Sequence, residues 1–312
     1  MTPRRLMLLD SASLYFRAFY GVPERTAADG TPNNALRGFA DMIATLFTTY
    51  EPTDMVACWD NDWRPAFRVE AIPSYKTHRL DPKGRPGAEI VPDGLVPQVP
   101  MILDVLAAAG IATAGAEGLE ADDVLGTLST REQQDDVVVV SGDRDLLQLV
   151  SDEQPPVKVF YVGRGLAKAE LFGPAEVAAK YGVPVANAGP AYADLAALRG
   201  DASDGLPGVK GIGEKSASSL IMRFGSLEAL RDAALDPDSD LAQGVRAKLA
   251  AAADYLDAAA TVVRVVRDAD IMMSGDDDLP TEPADTDRLL ALGVELNAEN
   301  PVGRLVKAMR NR

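Results

Sequence analysis

Apolar residues along this chain fall into two kinds of run. Short, continuous stretches occur at Leu6-Met7-Leu8-Leu9, Met55-Val56-Ala57-Cys58-Trp59 and Val137-Val138-Val139-Val140. Uniform rather than alternating apolar residues predict strands buried on both faces, as in a parallel sheet. Longer stretches, from about Asn34 to Thr49, Val99 to Ala109 and Ala121 to Arg131, carry apolar residues three and four positions apart. That spacing predicts helices with one buried face, and Gly110 is a suitable stop for the second. Strands alternating with helices predict right-handed βαβ units and a doubly wound α/β sheet.

Three regions leave this pattern. Residues 62–97 are rich in proline, glycine and cations, among them Arg64, Arg68, Lys76, Arg79, Lys83 and Arg85; a loop so long is commonly functional. From about Gly200 the chain reads as turns and helices, with Gly205-Leu-Pro-Gly-Val-Lys-Gly-Ile-Gly213 ahead of a helix from about Lys215 to Phe224. After about Asp240 it is Ala-rich and helical with acidic loops, and it shows neither a repeat nor a heptad run.

Composition narrows the class. The 312 residues are 47% hydrophobic, ample for a buried core. The single cysteine, Cys58, excludes a disulfide framework and suits a reducing cytoplasm. Leu6 to Leu9 is too short for a signal peptide, and no stretch approaches the ~20 apolar residues that span a bilayer. A soluble cytoplasmic protein, with no membrane partner, is expected. The net charge of −16 argues against a nucleic-acid partner at first sight. Binding depends on local potential, however, so the placement of the acids matters more than their sum.

Each apolar run leads into acid: Leu9 into Asp10, Trp59 into Asp60, and Val140 through Ser141-Gly142 into Asp143 and Asp145. Ligands of doubly wound sheets bind beyond the carboxyl ends of the strands. Glu120-Ala-Asp122-Asp123 opens a predicted helix, where acids also serve simply to compensate the helix dipole. Asp201 and Asp204 lie three apart in a turn, where aspartates also bond their own backbone. Together, Asp10, Asp60, Glu120, Asp122, Asp123, Asp143, Asp145, Asp201 and Asp204 predict one carboxylate cluster. Such a cluster cannot stay ionised without countercharge, and hard divalent cations such as Mg²⁺ supply it. With His78 as the only histidine, zinc is disfavoured. Two ions about 4 Å apart activate water and stabilise a leaving oxygen at phosphorus. Phosphatase, polymerase and ribonuclease chemistries share such a site; an aspartyl-phosphatase is disfavoured because Ser11-Ala12-Ser13 offers no second acid.

Two segments bear on the substrate. Gly208-Val-Lys-Gly211-Ile-Gly213-Glu-Lys215-Ser216 places a glycine hairpin before a helix, whose free amides suit a phosphate; an ordinary tight turn is the simpler alternative. Phe67-Arg68, Tyr75-Lys76 and Arg79 interleave cations with aromatics, a combination suited to single-stranded nucleic acid; a solvated loop is the alternative here.

Leu-Leu-Asp10, Tyr15-Phe-Arg17-Ala-Phe19, Phe67-Arg68, Tyr75-Lys76, Glu120-Ala-Asp-Asp123, Gly142-Asp-Arg-Asp145 and Gly200-Asp-Ala-Ser-Asp-Gly-Leu-Pro-Gly-Val-Lys-Gly-Ile-Gly-Glu-Lys215 occur in this order. As a set they resemble the 5′-nuclease domain of bacterial DNA polymerase I and the wider flap endonuclease family, over about residues 4–265. The resemblance implies a PIN-like α/β core with a mostly parallel sheet over residues 1–185, with a helical arch at about 62–97. It implies a helical subdomain with a helix–hairpin–helix-type motif over residues 186–312, its last helices packing on the core. It further implies a 5′-flap endonuclease and 5′-3′ exonuclease of replication and repair, acting on DNA flaps, overhangs or nicks and on RNA primers, as a free-standing monomer.

By position, Asp10, Asp60, Glu120, Asp122 and Asp123 would serve a first Mg²⁺ or Mn²⁺ site, and Asp143, Asp145, Asp201 and Asp204 a second. Lys76 and Arg79 would engage the scissile phosphate. Arg17, Arg68, Tyr75, Lys210, Gly211, Gly213, Lys215 and Ser216 would contact DNA, and carbonyls near 209–213 would hold K⁺. Ser11 and Gly205 replace a usual glycine and asparagine, and Leu80 to Val91 is longer than in polymerase-linked relatives. A PIN-type ribonuclease and a catalytically silent junction binder are the competing readings. The former class lacks the glycine hairpin, and the complete acid set argues against the latter.

Overall fold

A computed structural model describes residues 4–311. The first half runs β1 (Arg5–Asp10), α1 (Ser11–Gly21), α2 (Asn34–Tyr50), β2 (Asp54–Cys58), α3 (Ala66–Ala71), α4 (Gln98–Ala109), β3 (Ala112–Gly115), α5 (Ala121–Arg131), β4 (Asp136–Ser141), β5 (Val157–Tyr161), β6 (Glu170–Phe172) and α6 (Pro174–Tyr181). The second half is helical: α7 (Ala188–Arg199), α8 (Glu214–Phe224), α9 (Leu227–Leu235), α10 (Gln243–Ala251), α11 (Ala253–Val263), a short β7 (Met272–Met273), α12 (Thr286–Glu295) and α13 (Glu299–Arg310).

The strands form one sheet in the order β6-β5-β4-β1-β2-β3-β7. The five inner strands are parallel, and the edge strands β6 and β7 are antiparallel. Successive side chains on a strand face opposite ways, and the uniform apolar runs therefore feed two cores. Leu6, Leu8, Val137 and Val139 join α5 and the helices α6 to α11. Met7, Leu9, Val138 and Val140 join α1, α2, α4, α12 and α13 on the other face. The last two helices thus return to the first half of the chain, where Arg304 grips Asp41 of α2 through two hydrogen bonds of 2.8 and 2.9 Å. Strand order reverses between β1 and β4, which opens a crevice at their carboxyl ends.

The 62–97 segment departs from the helical arch that the resemblance implies. Past α3 it holds only a single 3₁₀ turn, Thr77–Arg79. Pro82, Pro86, Pro92 and Pro97, with Gly84, Gly87 and Gly94 between them, deny a helix its amide donors and its stiffness. The chain instead doubles back, with Asp81 N bonding Ala88 O and Ile90 N bonding Arg79 O, both at 2.8 Å.

Candidate active site

The crevice holds a cavity of about 200 Å³ lined by Asp10, Asp60, Glu120, Asp122, Asp143, Lys76, Arg79 and Glu89, with Ser13, Phe16 and Trp63 among its other walls. Each acid arrives there by a local device. Asp10 ends β1 and caps α1, accepting from Ser13 N at 3.1 Å, while its other oxygen accepts from Ser141 Oγ at 2.5 Å. Asp60 follows β2 and accepts from Ala121 N at 2.7 Å, at the open end of α5. Asp122 lies in the first turn of α5. Asp143 follows β4, its amide donating to Ser141 Oγ at 2.8 Å and its carboxylate accepting from Asp145 N at 2.9 Å.

Asp145, Asp201 and Asp204 stand beside this cavity rather than in its wall. Burial raises the Asp145 carboxyl well above its ordinary range, and Asp143, Asp204 and Asp201 push it further. Asp201 braces its own turn by accepting from Ser203 N at 2.8 Å and lies 3.6 Å from Arg199. Asp204 pairs with Arg79 at 3.1 Å. The acids therefore form two groups that adjoin at Asp143.

Burial, opposed by Ser141 and reinforced by Asp60, lifts the Asp10 carboxyl to about 7. Asp122 is raised well above its usual range by burial and by Asp10 and Asp143. The cations respond in the opposite sense. Burial alone would lower Lys76, but Glu120, Asp204 and Asp122 outweigh it and hold the ammonium above the ordinary lysine range. Lys76 Nζ is paired with Glu120 Oε1. Among the described residues no three acid, imidazole or thiol groups close on one point as a finished cage. An open oxygen site is what a hydrated Mg²⁺-type ion uses, taking one or two carboxylates and keeping several waters.

Three of the expected site residues are placed elsewhere. Asp123 is fully buried and faces away from the cavity, where Arg68 clasps it at 2.6 and 2.8 Å. It also accepts from the amides of Glu120 and Val266. With its oxygens so engaged it is a structural member, not a candidate ligand. Arg68 is 2% exposed and also bonds Glu120 Oε2 at 2.6 Å and the Val262 carbonyl of α11 at 3.1 Å. It joins the arch base to both halves of the chain and presents nothing to DNA. Tyr75 is likewise buried, its hydroxyl donating to Glu120 at 2.7 Å, so its ring is unavailable for base stacking.

Arg17 is half-buried, donates to Gly163 O at 2.8 Å, and lies so close under Gly142 that a Cβ there would meet its guanidinium at 2.7 Å. Lys210, Lys215 and Ser216 are exposed at the hairpin. Gly211 adopts φ +80, and Gly213 caps α8. The Gly211 carbonyl accepts from Lys248 Nζ at 2.8 Å. Gly205 has a plain cause: φ is +75, and a Cβ would come within 2.2 Å of the Ser74 carbonyl, leaving no room for asparagine. Ser11 Oγ is buried without a partner, and nothing in the structure explains its replacement of glycine. Glu89, Ser13 and Ser141 were not anticipated from sequence. Ser13 had a signal, standing three residues after a strand-ending aspartate in capping position; Glu89 had none beyond its place in the lengthened stretch.

Comparison with known proteins bears on the whole chain. The family described as "5′-3′ exonuclease, N-terminal resolvase-like domain" matches residues 5–182, and "5′-3′ exonuclease, C-terminal SAM fold" matches residues 188–287. The chain belongs to the 5′-3′ exonuclease family. It is 55% identical over 309 residues to the 5′-3′ exonuclease of Mycobacterium tuberculosis, covering 97% of each chain. It is also 39% identical over 249 residues to DNA polymerase I of that organism, covering 78% of this chain and 26% of the polymerase. The T5 D15 protein, co-crystallised with metal ions, shares the fold at a TM-score of 0.62 and 21% identity over 99% of both chains. The family's resolvase-like and SAM-fold parts meet between residues 182 and 188, ahead of α7. No described helix is long and apolar enough to cross a membrane.

Proposed function

We propose that this 5′-3′ exonuclease family member hydrolyses DNA at the junction of a single-stranded 5′ end and duplex, acting on flaps, overhangs and nicks and on RNA primers paired to DNA. The observation that carries this is the cavity wall itself. Asp10, Asp60, Asp122 and Asp143 face it without an ion pair, and Lys76 and Arg79 stand in the same wall. Burial raises the carboxyls of Asp10, Asp60 and Asp122; a divalent cation supplies the countercharge that lets such groups ionise, and adjacent cations accept a phosphodiester.

The donor set fits Mg²⁺ or Mn²⁺: all oxygen, open and acidic. Asp10, Asp60, Asp122 and Asp143 would hold one ion, Glu120 being engaged through both oxygens by Lys76, Arg68 and Tyr75 rather than free to coordinate, and Asp143, Asp145, Asp201 and Asp204 would hold a second. Bound there, such ions supply an activated water and neutralise the phosphodiester. The protein's own groups do the positioning. Ser141 and the Ser13 amide fix the Asp10 carboxylate from two sides, and the Ala121 amide fixes Asp60. Arg79 spends donors on Asp204 and on Ser203 O, leaving the rest of its fork for a phosphate oxygen. Trp63 and Phe16 wall the cavity with apolar surface and strengthen every charge inside it.

Duplex is gripped at the hairpin, where Lys210, Lys215 and Ser216 surround the free amides opening α8. A K⁺ ion on this hairpin would share the Gly211 carbonyl with Lys248. The buried free thiol of Cys58 suits a cytoplasmic protein, and we propose that it works as a monomer.

The test is cleavage of a 5′-labelled flap against matched RNA and intact duplex, with Mg²⁺, Mn²⁺ or EDTA. Flap incision that needs the metal is expected. Cleavage of RNA alone would give the site to a ribonuclease, and metal-independent binding without cleavage would make the chain a silent binder.

A further inference from the structure

Between Lys76 and α4 the chain makes a detour that closes on the cavity. Arg79 and Ile90 are joined by a 2.8 Å backbone hydrogen bond, Asp81 and Ala88 by another, and Leu80 lies opposite Glu89 in an antiparallel bridge. The tip turns through Gly87 at φ +83, and Trp63 Nε1 donates to the Gly87 carbonyl at 3.1 Å, tying the detour to the segment after Asp60.

Neighbouring side chains on such a hairpin point to opposite sides. Glu89 points inward, half-buried in the cavity wall, while Ile90 is 55% exposed. Burial alone favours the reverse arrangement. Among the described residues the Glu89 carboxylate has no hydrogen bond and no ion pair within 4 Å, although it shares the cavity with Lys76 and Arg79. Burial holds its carboxyl above the ordinary glutamate range, Arg79 and Lys76 pull it down, and Asp60 pushes it up. No fold-stabilising contact accounts for a charge in that place.

A carboxylate and a phosphodiester each carry one negative charge on paired oxygens, and both are recognised by lysine and arginine. We infer that Glu89 is a gate carboxylate: its unpaired charge, set in the same wall as Lys76 and Arg79, offsets their attraction for an incoming phosphodiester and so sets how readily a strand enters the cavity. The inference rests on the nuclease reading of this cavity. Glu89 is a specificity-determining group rather than a catalytic one.

The test compares wild type with Glu89→Gln, which keeps the shape and removes the charge. Flap cleavage is measured in Mn²⁺, and equilibrium binding of single-stranded DNA is measured in EDTA across a salt series. KM and Kd should fall about threefold to tenfold, with kcat within about twofold, as expected when a competing charge is removed beside a binding site. The slope of log affinity against log salt should steepen by about 0.7, one further phosphate neutralised on a single strand. Glu89→Ala should shift both in the same direction, and Glu89→Asp should restore wild-type behaviour. Unchanged KM, Kd and salt slope would overturn the inference. So would a kcat loss beyond about tenfold with a raised metal requirement, which would make Glu89 a metal ligand. A wild type that binds the strand but never cuts would sink the nuclease reading instead, while the binding series still reports the gate.

Discussion

The two ends of one sheet hold their acids in opposite ways. At the amino ends, Arg4 gathers Asp54 at 2.6 Å, Asp135 at 3.1 Å and Asp278 at 2.7 Å. At the carboxyl ends, Asp10, Asp60, Asp122 and Asp143 face the cavity with only hydroxyl or amide partners, or none among the hydrogen bonds described. The nearby cations are already committed, Lys76 to Glu120 and Arg79 to Asp204. Acids at one end share a cation from within the chain; those at the other await one from solution. The same contrast recurs between neighbours in the first turn of α5, where Asp123 is clasped by Arg68 and Asp122 is left to the cavity.

The neighbours in α5 offer the sharpest way to break that comparison. Asp122→Asn should cut flap cleavage by about 10²–10³-fold, the scale of losing one electrostatic stabiliser of a charged transition state. DNA binding and thermal stability should hold; retained cleavage would remove Asp122 from the metal site. Asp123→Ala should instead act on the fold, costing about 3–5 kcal/mol by breaking a buried ion pair and leaving Arg68 with Glu120 as its remaining acidic partner. Denaturant unfolding measures this, and a loss no larger than that of Asp122→Ala would refute the distinction.

A pH series sharpens the comparison between the two ends. A carboxyl whose folded pKa is raised binds its proton better when folded, so its contribution to stability falls as pH rises from the unfolded value toward the folded one. For Asp10 that window runs from 3.8 to about 7, and Asp122 and Asp145 shift in the same direction. In EDTA, thermal stability should therefore decline across this range, and Asp10→Asn should flatten the decline. Mn²⁺ should raise Tm more at pH 8 than at pH 5; an equal gain at both would contradict the assignment. Asp54, lifted to about 6 by burial, adds a decline of the same sign that metal should leave untouched. The smallest effect belongs to Arg4→Met. Arg4 is exposed and solvent screens its ion pairs, so only a slight fall in Tm is expected, with flap cleavage unchanged.

The strands and helices were legible wherever burial imposed a strict period. Leu6 to Leu9 and Val137 to Val140 are read directly as two-sided strands, and α5 runs over Ala121–Arg131 as its pattern predicts. β3, built from Ala112-Thr-Ala-Gly115, and the short edge strands β6 and β7 escaped because small residues and short lengths carry little periodic signal. At the site, residue type was legible and orientation was not. Asp122 and Asp123 are indistinguishable in composition, and the approach of Arg68, 55 positions before Asp123, decides which faces inward. Arg68 and Tyr75 read as nucleic-acid contacts because a proline-rich basic segment suggests exposure. Tertiary packing against α11 buries the first and Glu120 engages the second. Glu89 depended on a chain reversal that prolines and glycines permit but do not announce.

The most direct measurement of the central claim is calorimetric titration of Mn²⁺ into the protein without DNA, comparing wild type, Asp122→Asn and Arg4→Met. The account predicts binding by wild type, affinity weakened at least about tenfold in Asp122→Asn, and wild-type affinity in Arg4→Met. Equal affinity in wild type and Asp122→Asn, or a loss confined to Arg4→Met, would contradict the assignment of the open carboxylates to a metal site.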